Sequence, residues 1–218
     1  MGEVTAIIPA RGGSKGIPRK NLIDTCGIPL LAWSILQARA AELIDSVWVS
    51  SDSSEILSVA EKYGASVINR PPDLAGDEAS SESAWIHGLD ELEARGKDVE
   101  LVVGIQATSP VREPIDLDQG IETVRQEGLD SLLSVVESRE YFLWRVGDKG
   151  PESVSYDYRT RKRRQLIEPR YLENGSFYVF KPEIIRRFNN RLGGRIGLHV
   201  MQSHKGVEID SLAEAKLA

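Results

Sequence analysis

The chain has 218 residues, 41% hydrophobic and 28% charged, which suits one domain with a sizeable core and excludes collagen-like, disordered and disulfide-scaffold classes. Its 27 Lys and Arg against 33 Asp and Glu give a formal charge of -6, so no global basic field points to a nucleic-acid partner. No stretch approaches the roughly 18 apolar residues of a membrane span, and Met1 to Ala10 lacks a secretory pattern; a soluble, cytoplasmic protein is expected.

Val4 to Pro9 is a short apolar run entering a glycine-rich loop, the form of a buried parallel strand. From Ile28, Leu31, Ile35 and Ala38 recur at helical spacing to about Leu43. Ser46 to Ser50 reads as strand, and Ser53 offers an N-cap to a helix through Tyr63 that Gly64 stops. Ala65 to Ile68 is another strand. Ser80 or Ser81 caps a helix carrying Trp85, Leu89 and Leu92, ending near Gly96. Leu101 to Ile105 is strand, Pro114 starts a helix to about Gln126, and Ser131 to Val136 is strand. Four or five βα units in series predict a three-layer α/β fold, a mainly parallel Rossmann-like sheet with helices on both faces.

The rhythm then breaks. Residues 137–174 carry Gly147, Gly150 and Pro151 among aromatic pairs and a basic run from Arg159 to Arg164, as an inserted lobe would. Ser176 to Phe180 resumes strand character, Pro182 starts a helix, and Ile196 to Met201 and Val207 to Ile209 read as the last strands. Residues 1–136 and 175–218 therefore form one core, with 137–174 inserted. The run Arg161 to Arg164 is read as a solvated hairpin with one or two arginines serving a site. His87 and Cys26 are read as structural, Cys26 as a small buried residue.

In open α/β sheets ligands bind beyond the carboxyl ends of the strands. That rule nominates the loops starting at Ala10, Ser50, Asn69, Gln106 and Glu137, and the segment ending at Asp210. In the first loop Gly12, Gly13 and Gly16 free backbone N–H groups to form an anion-binding concavity. Arg11, Lys15 and Lys20 add cations suited to a polyphosphate. The spacing fits neither the ATPase loop, since Ile17 follows Gly16, nor the dinucleotide loop, since Gly12 and Gly13 are adjacent. Gln106, Thr108 and Ser109 offer an amide and two hydroxyls to a polyhydroxylated sugar, or simply a turn ending at Pro110. Glu208 and Asp210, two apart on an expected strand end, point to one face and suit a hard cation, or Asp210 or Ser211 merely caps a last helix.

These segments carry a resemblance. IIPARGGSKGIPRKN (7–21), WVSSDS (48–53), NRPPDLAGDEASS (69–81), QATSPVR (106–112), ENGSFYVF (173–180) and VEIDS (207–211) are similar, in order and spacing, to the acylneuraminate cytidylyltransferases, the CMP-sialic acid synthetases. The resemblance implies a homodimeric, magnesium-dependent nucleotidyltransferase. In that family the anomeric 2-hydroxyl of a nonulosonic acid attacks the α-phosphate of CTP, giving CMP-sugar and pyrophosphate.

By motif position, Arg11, Ser14, Lys20 and Asn21 contact CTP, with Lys20 neutralising the α-phosphate in the transition state. Arg70, Ala79 and Ser81 serve the cytosine and ribose. The resemblance further implies that Gln106 faces the sugar with Thr108 and Ser109 beside it, that residues 137–174 are a dimerisation lobe crossing to the partner subunit, where Arg164 and Gln165 help bind the acidic sugar, and that Tyr178 belongs to the sugar-binding motif beyond the lobe. Asp210 is the expected metal ligand, with Glu208, one methylene longer than the family's aspartate, beside it. Lys20, Arg11 and Asp210 form the expected catalytic set. Leu172 and Trp144 stand where cations are expected, so a legionaminate-type acceptor competes with N-acetylneuraminate. A non-catalytic nucleotide- or sugar-binding protein on the same fold is the rival from another class.

Overall fold

The computed structural model describes residues 2–13, 16–76, 79–138, 142–211 and 214. Strand β1 (Glu3–Pro9) is buried along its middle, because both faces of the sheet are covered and a continuous apolar run can be accommodated. Two short strands, β2 (Asp24–Thr25) and β3 (Ile28–Pro29), pair antiparallel before helix α1 (Leu30–Ala40). The chain then alternates through β4 (Ser46–Ser51), α2 (Ser54–Lys62), β5 (Ser66–Asn69), α3 (Ser81–Ala94), β6 (Val99–Ile105), α4 (Pro114–Glu127) and β7 (Ser131–Ser138).

The helix boundaries follow local chemistry. Ser53 caps α2 by accepting from Ile56 N, and Gly64 beyond its end sits at φ 87°, a conformation open to glycine. Ser80 rather than Ser81 caps α3. Glu113 and Asp116 form a reciprocal capping box at the start of α4, and Gly128 closes it in the left-handed region.

A hairpin of β8 (Trp144–Gly147) and β9 (Gly150–Ser153) follows, then β10 (Arg170–Phe180), α5 (Pro182–Phe188) and β11 (Ile196–Met201). The main sheet has the order β11-β7-β10-β6-β1-β4-β5. All its pairings are parallel except those of β10, which runs antiparallel between β6 and β7. Helices α1, α2 and α4 pack on one face through Leu31, Ile35, Ile56, Leu117 and Ile121. On the other face α3 and α5 contribute Trp85, Leu89, Leu92 and Ile185. This is the expected three-layer arrangement.

Several expectations are corrected. The helix expected from Ile28 to Leu43 starts at Leu30, because Ile28 and Pro29 are held in β3. The strand expected from Ser176 begins at Arg170, so β7 and β10 pair out to Ser138 and Arg170, past both edges of the segment read as an insertion. Val207–Ile209 is not a strand: it crosses the ends of other strands as coil, with Ile209 plugged against Ile17 and Leu30. Cys26 is exposed, at φ 54° in the tight turn between β2 and β3.

Candidate functional site

The chain runs from β1 to β4 and β5 on one side, then returns to β6 on the other side of β1. Strand order therefore reverses at β1, and the loops leaving β1 and β6 diverge there to open a crevice. A cleft of about 550 Å³ occupies this place. Arg11, Lys20, Asn21, Arg70, Ala79 and Ser81 line it, and so do Gln106, Thr108, Glu208 and Asp210.

The loop after β1 is tied down from below. Ala10 N donates to Ser50 O, Gly12 N to Asp52 Oδ1 at 2.9 Å, and the buried Asn21 amide to Arg11 O at 3.1 Å. At Gly12 a Cβ would lie 3.0 Å from the Ser53 side chain, and at Gly16 only 2.8 Å from Asp210 O. Side chains there would push the loop off its supports. Lys20 sits in a single 3₁₀ turn and donates to Asp210 Oδ1 at 2.8 Å. Arg11 crosses to the loop after β5, donating to Gly76 O at 3.2 Å. Ser14 and the neighbouring Lys15 lie outside the described residues.

Arg70 follows β5, its backbone N donating to Ser51 O. The residue is only 5% exposed, yet Nε and Nη2 meet no acceptor. Burial pulls its pKa below the ordinary guanidinium range; Asp52 opposes that and Arg11 adds to it. Arg70 lines the cleft with these two unpaired donors sealed beneath the surface, and a turn of the side chain would present them to an acceptor-bearing ligand. Ala79 N is turned in to Gly76 O, and Ser81 opens α3 beside it.

The turn after β6 is shaped by Arg112. Its buried guanidinium donates to Gln106 O at 2.7 Å, Ser109 O at 2.6 Å, Ser176 Oγ at 3.0 Å and Ser34 Oγ at 3.1 Å. Burial lowers its pKa to about 9, with Asp116 opposing. Arg112 thus folds the Gln106–Ser109 turn about one point, leaving Gln106 and Thr108 on the cleft and turning Ser109 inward, where it is 1% exposed. Ser109 is therefore not a cleft residue. Tyr178 is also absent from the lining: it is buried beside Trp85, and its hydroxyl donates to Glu173 Oε1. Burial first, then the Glu173 carboxylate, push that phenol's pKa up. Gln165 is exposed in a 3₁₀ turn (Arg164–Leu166) of the segment between β9 and β10, outside this cleft; the side chain of Arg164 is not among those described.

Glu208 and Asp210 reach the cleft from coil. Thr108 Oγ1 donates to Glu208 Oε1 at 3.2 Å, and Ile209 N to Thr108 O at 2.8 Å. Burial raises the Glu208 pKa above the ordinary carboxylate range, and the Asp210 charge raises it further. That repulsion is one a cation would relieve. Among the described residues no group of three or more His, Cys, Asp or Glu gathers as a closed metal cage. Two carboxylates with open sides do fit a magnesium ion, which keeps waters and takes substrate phosphate oxygens as its other ligands.

The chain as a whole is similar to several known proteins. The family described as "Cytidylyltransferase" matches residues 5–180. N-acylneuraminate cytidylyltransferase A from Danio rerio is 37% identical over 212 residues, covering 95% of this chain and 48% of that protein. CMP-N,N'-diacetyllegionaminic acid synthase from Campylobacter jejuni is 31% identical over 223 residues, covering 100% of this chain and 94% of that protein. The chain spans about half the length of the N-acylneuraminate cytidylyltransferases from fish that it matches. A solved CMP:2-keto-3-deoxy-manno-octonic acid synthetase in complex with CTP superposes with a TM-score of 0.73 at 15% identity, covering 99% of this chain and 96% of that one. That likeness speaks for the fold.

Proposed function

The chain belongs to the cytidylyltransferase family, and from that premise we propose that it joins CTP to a nonulosonic acid, releasing CMP-sugar and pyrophosphate. The observation that carries the reading is the meeting of opposite charges across the cleft. Lys20 and Arg11 on the glycine-rich loop face Glu208 and Asp210 on the terminal segment, with Lys20 and Asp210 at 2.8 Å. A triphosphate entering between them meets cations on one side and, on the other, carboxylates able to share a hard cation with its oxygens.

In this reading the loop holds the β- and γ-phosphates on backbone N–H groups other than that of Gly12, which Asp52 occupies, and Arg11 spans them. Lys20, held by Asp210, faces the α-phosphate where charge grows as the acceptor's 2-hydroxyl oxygen bonds to phosphorus and the α–β anhydride bond breaks. The hydroxyl proton leaves to solvent, and pyrophosphate departs with the electron pair. Arg70 offers its idle donors to the cytosine carbonyl oxygen, with Ala79 and Ser81 near the nucleoside. Gln106 and Thr108 face the sugar. Glu208 and Asp210 would hold magnesium, which when bound neutralises phosphate charge.

The acceptor class stays broader than N-acetylneuraminate. Leu172 and Trp144 are apolar and partly exposed where the family resemblance leads one to expect cations. Relatives named for pseudaminic and diacetyllegionaminic acids match the chain as well. Residues beyond the cleft, Arg164 and Gln165, enter this reading through a homodimer in which the segment between β9 and β10 serves the partner's site. ³¹P NMR of a reaction with CTP, magnesium and acceptor tests the proposal. A new phosphodiester signal alongside pyrophosphate is expected, and CTP unchanged with every nonulosonic acid would overturn it.

A further inference from the structure

Behind the cleft lies a buried charged cluster that the chemistry above does not use. Lys205, in the 3₁₀ turn Ser203–Gly206, is 4% exposed. Its ammonium donates to Asp116 Oδ1 at 3.0 Å, Asp116 Oδ2 at 2.8 Å and Glu113 Oε2 at 2.5 Å. Asp116 is itself buried, and the His199 ring nitrogen Nε2 lies 3.6 Å from it. The backbone of the same turn is gripped from the sheet, where Asn174 Nδ2 donates to Lys205 O at 3.3 Å.

A lysine is an expensive way to fill this space. Replacing a buried ion pair with well-packed apolar groups is often neutral or stabilising, so stability alone is a poor account of it. What an ion cluster offers over an apolar one is direction. Both oxygens of Asp116 and one of Glu113 engage the ammonium, and both acids are fixed by the capping box at the start of α4. The turn is thereby set against a rigid helix end.

The consequence lies three residues on. From Lys205 the chain passes to Glu208 and Asp210, held by Ile209 in its apolar socket, by the contacts with Thr108 and, at Asp210, by Lys20. A shift at the root of this coil moves both carboxylates together. We propose that Lys205 is a positioning residue, which through Asp116 and Glu113 holds Glu208 and Asp210 in the geometry that binds a divalent cation. The inference rests on the reading of these two carboxylates as the metal-binding pair. Outer groups that orient metal ligands typically govern about 10–100-fold in metal affinity.

The test uses the double variant Lys205→Met/Asp116→Asn, which removes both charges and orphans neither, while the introduced amide keeps an oxygen for the capping box. Mn²⁺ serves as the probe, titrated by electron paramagnetic resonance with CTP present, alongside calorimetric CTP binding in EDTA. Mn²⁺ affinity should fall about 10–100-fold while metal-free CTP affinity stays within about twofold of the parent. Parental Mn²⁺ affinity in the folded variant overturns the proposal, whatever its melting temperature. If the double variant does not fold, Lys205→Arg decides: its longer planar head keeps the charge and displaces the turn, and parental Mn²⁺ affinity there is equally fatal. Failure of the parent protein itself to bind Mn²⁺ with CTP would instead strike the reading of Glu208 and Asp210 beneath it.

Discussion

Replacing Arg70 by methionine should make the ligand-free protein more stable and its binding of CTP weaker. Arg70 is 5% exposed, with Nε and Nη2 buried and lacking acceptors. A buried donor without a partner costs about 1–3 kcal/mol, whereas methionine keeps the apolar stem and removes both donors. Allowing for partial repacking, a net gain of about 2 kcal/mol is expected, and in a chain of this size each kcal/mol moves Tm by about 2–4 °C. A hydrogen bond from a charged group to the cytosine contributes about 1.5–3 kcal/mol, so CTP affinity should fall about 10–150-fold. Calorimetric melts without ligand and CTP titrations of both proteins measure the two effects. A variant that melts below the parent and binds CTP equally well would show that Arg70 is a structural residue and not a base reader.

Lys20→Ala should lower kcat much more than CTP affinity, by about 2.7–4 kcal/mol of barrier; a raised KM for CTP with kcat intact would remove the transition-state role. Asp210→Asn should abolish most magnesium-dependent turnover in a folded protein, and Glu208→Gln should do less; full activity of Asp210→Asn at low millimolar magnesium would refute the assignment. Asp116 bears on acid stability. Burial raises its pKa, but the nearby His199 ring nitrogen and the hydrogen bonds from Lys205 and the Glu113 backbone outweigh that and bring it from 3.8 to about 2. Its contribution, about 2 kcal/mol, is present above the unfolded value and lost as pH falls from about 4 toward 2. Denaturant melts between pH 6 and 3 should show a shallower acid loss in Asp116→Asn, and identical slopes would refute this. Lys20→Ala and Arg164→Ala subunits, each inactive, should recover activity when mixed under exchange, since a homodimer with sites shared between subunits regains one intact site; no recovery with exchange confirmed would place the segment in its own subunit's site.

What could be read from the sequence follows a physical divide. The parallel strands are short apolar runs set between helices with Ser caps and Gly stops, so local chemistry fixes both their type and their order. The glycine-rich loop is legible because three glycines and several cations beside a buried strand have little structural use. Side chains whose meaning depends on burial are not legible. Arg112 ends the QATSPVR segment with nothing local to mark its role, yet it is the buried post around which Gln106 to Ser109 folds. Lys205 sits between a histidine and a glycine with nothing local to mark it, and only the fold brings it to α4. The alternation of Val207, Glu208, Ile209 and Asp210 imitates a half-buried strand, while the real cause of the pattern is one apolar plug between two cleft-facing acids. Cys26 departs from expectation for a similar reason, since a left-handed turn outweighs its usual preference for burial.

Pyrophosphate release is the most direct test of the central claim. The purified chain is given CTP, magnesium and, in separate reactions, N-acetylneuraminic, legionaminic and pseudaminic acids, with UTP and ATP replacing CTP as controls. The account predicts release with CTP and at least one of these acids, stoichiometric with a CMP-sugar and lost with the other nucleotides. Tight CTP binding with no release for any acid would contradict it and make the protein a nucleotide-binding module on a transferase fold.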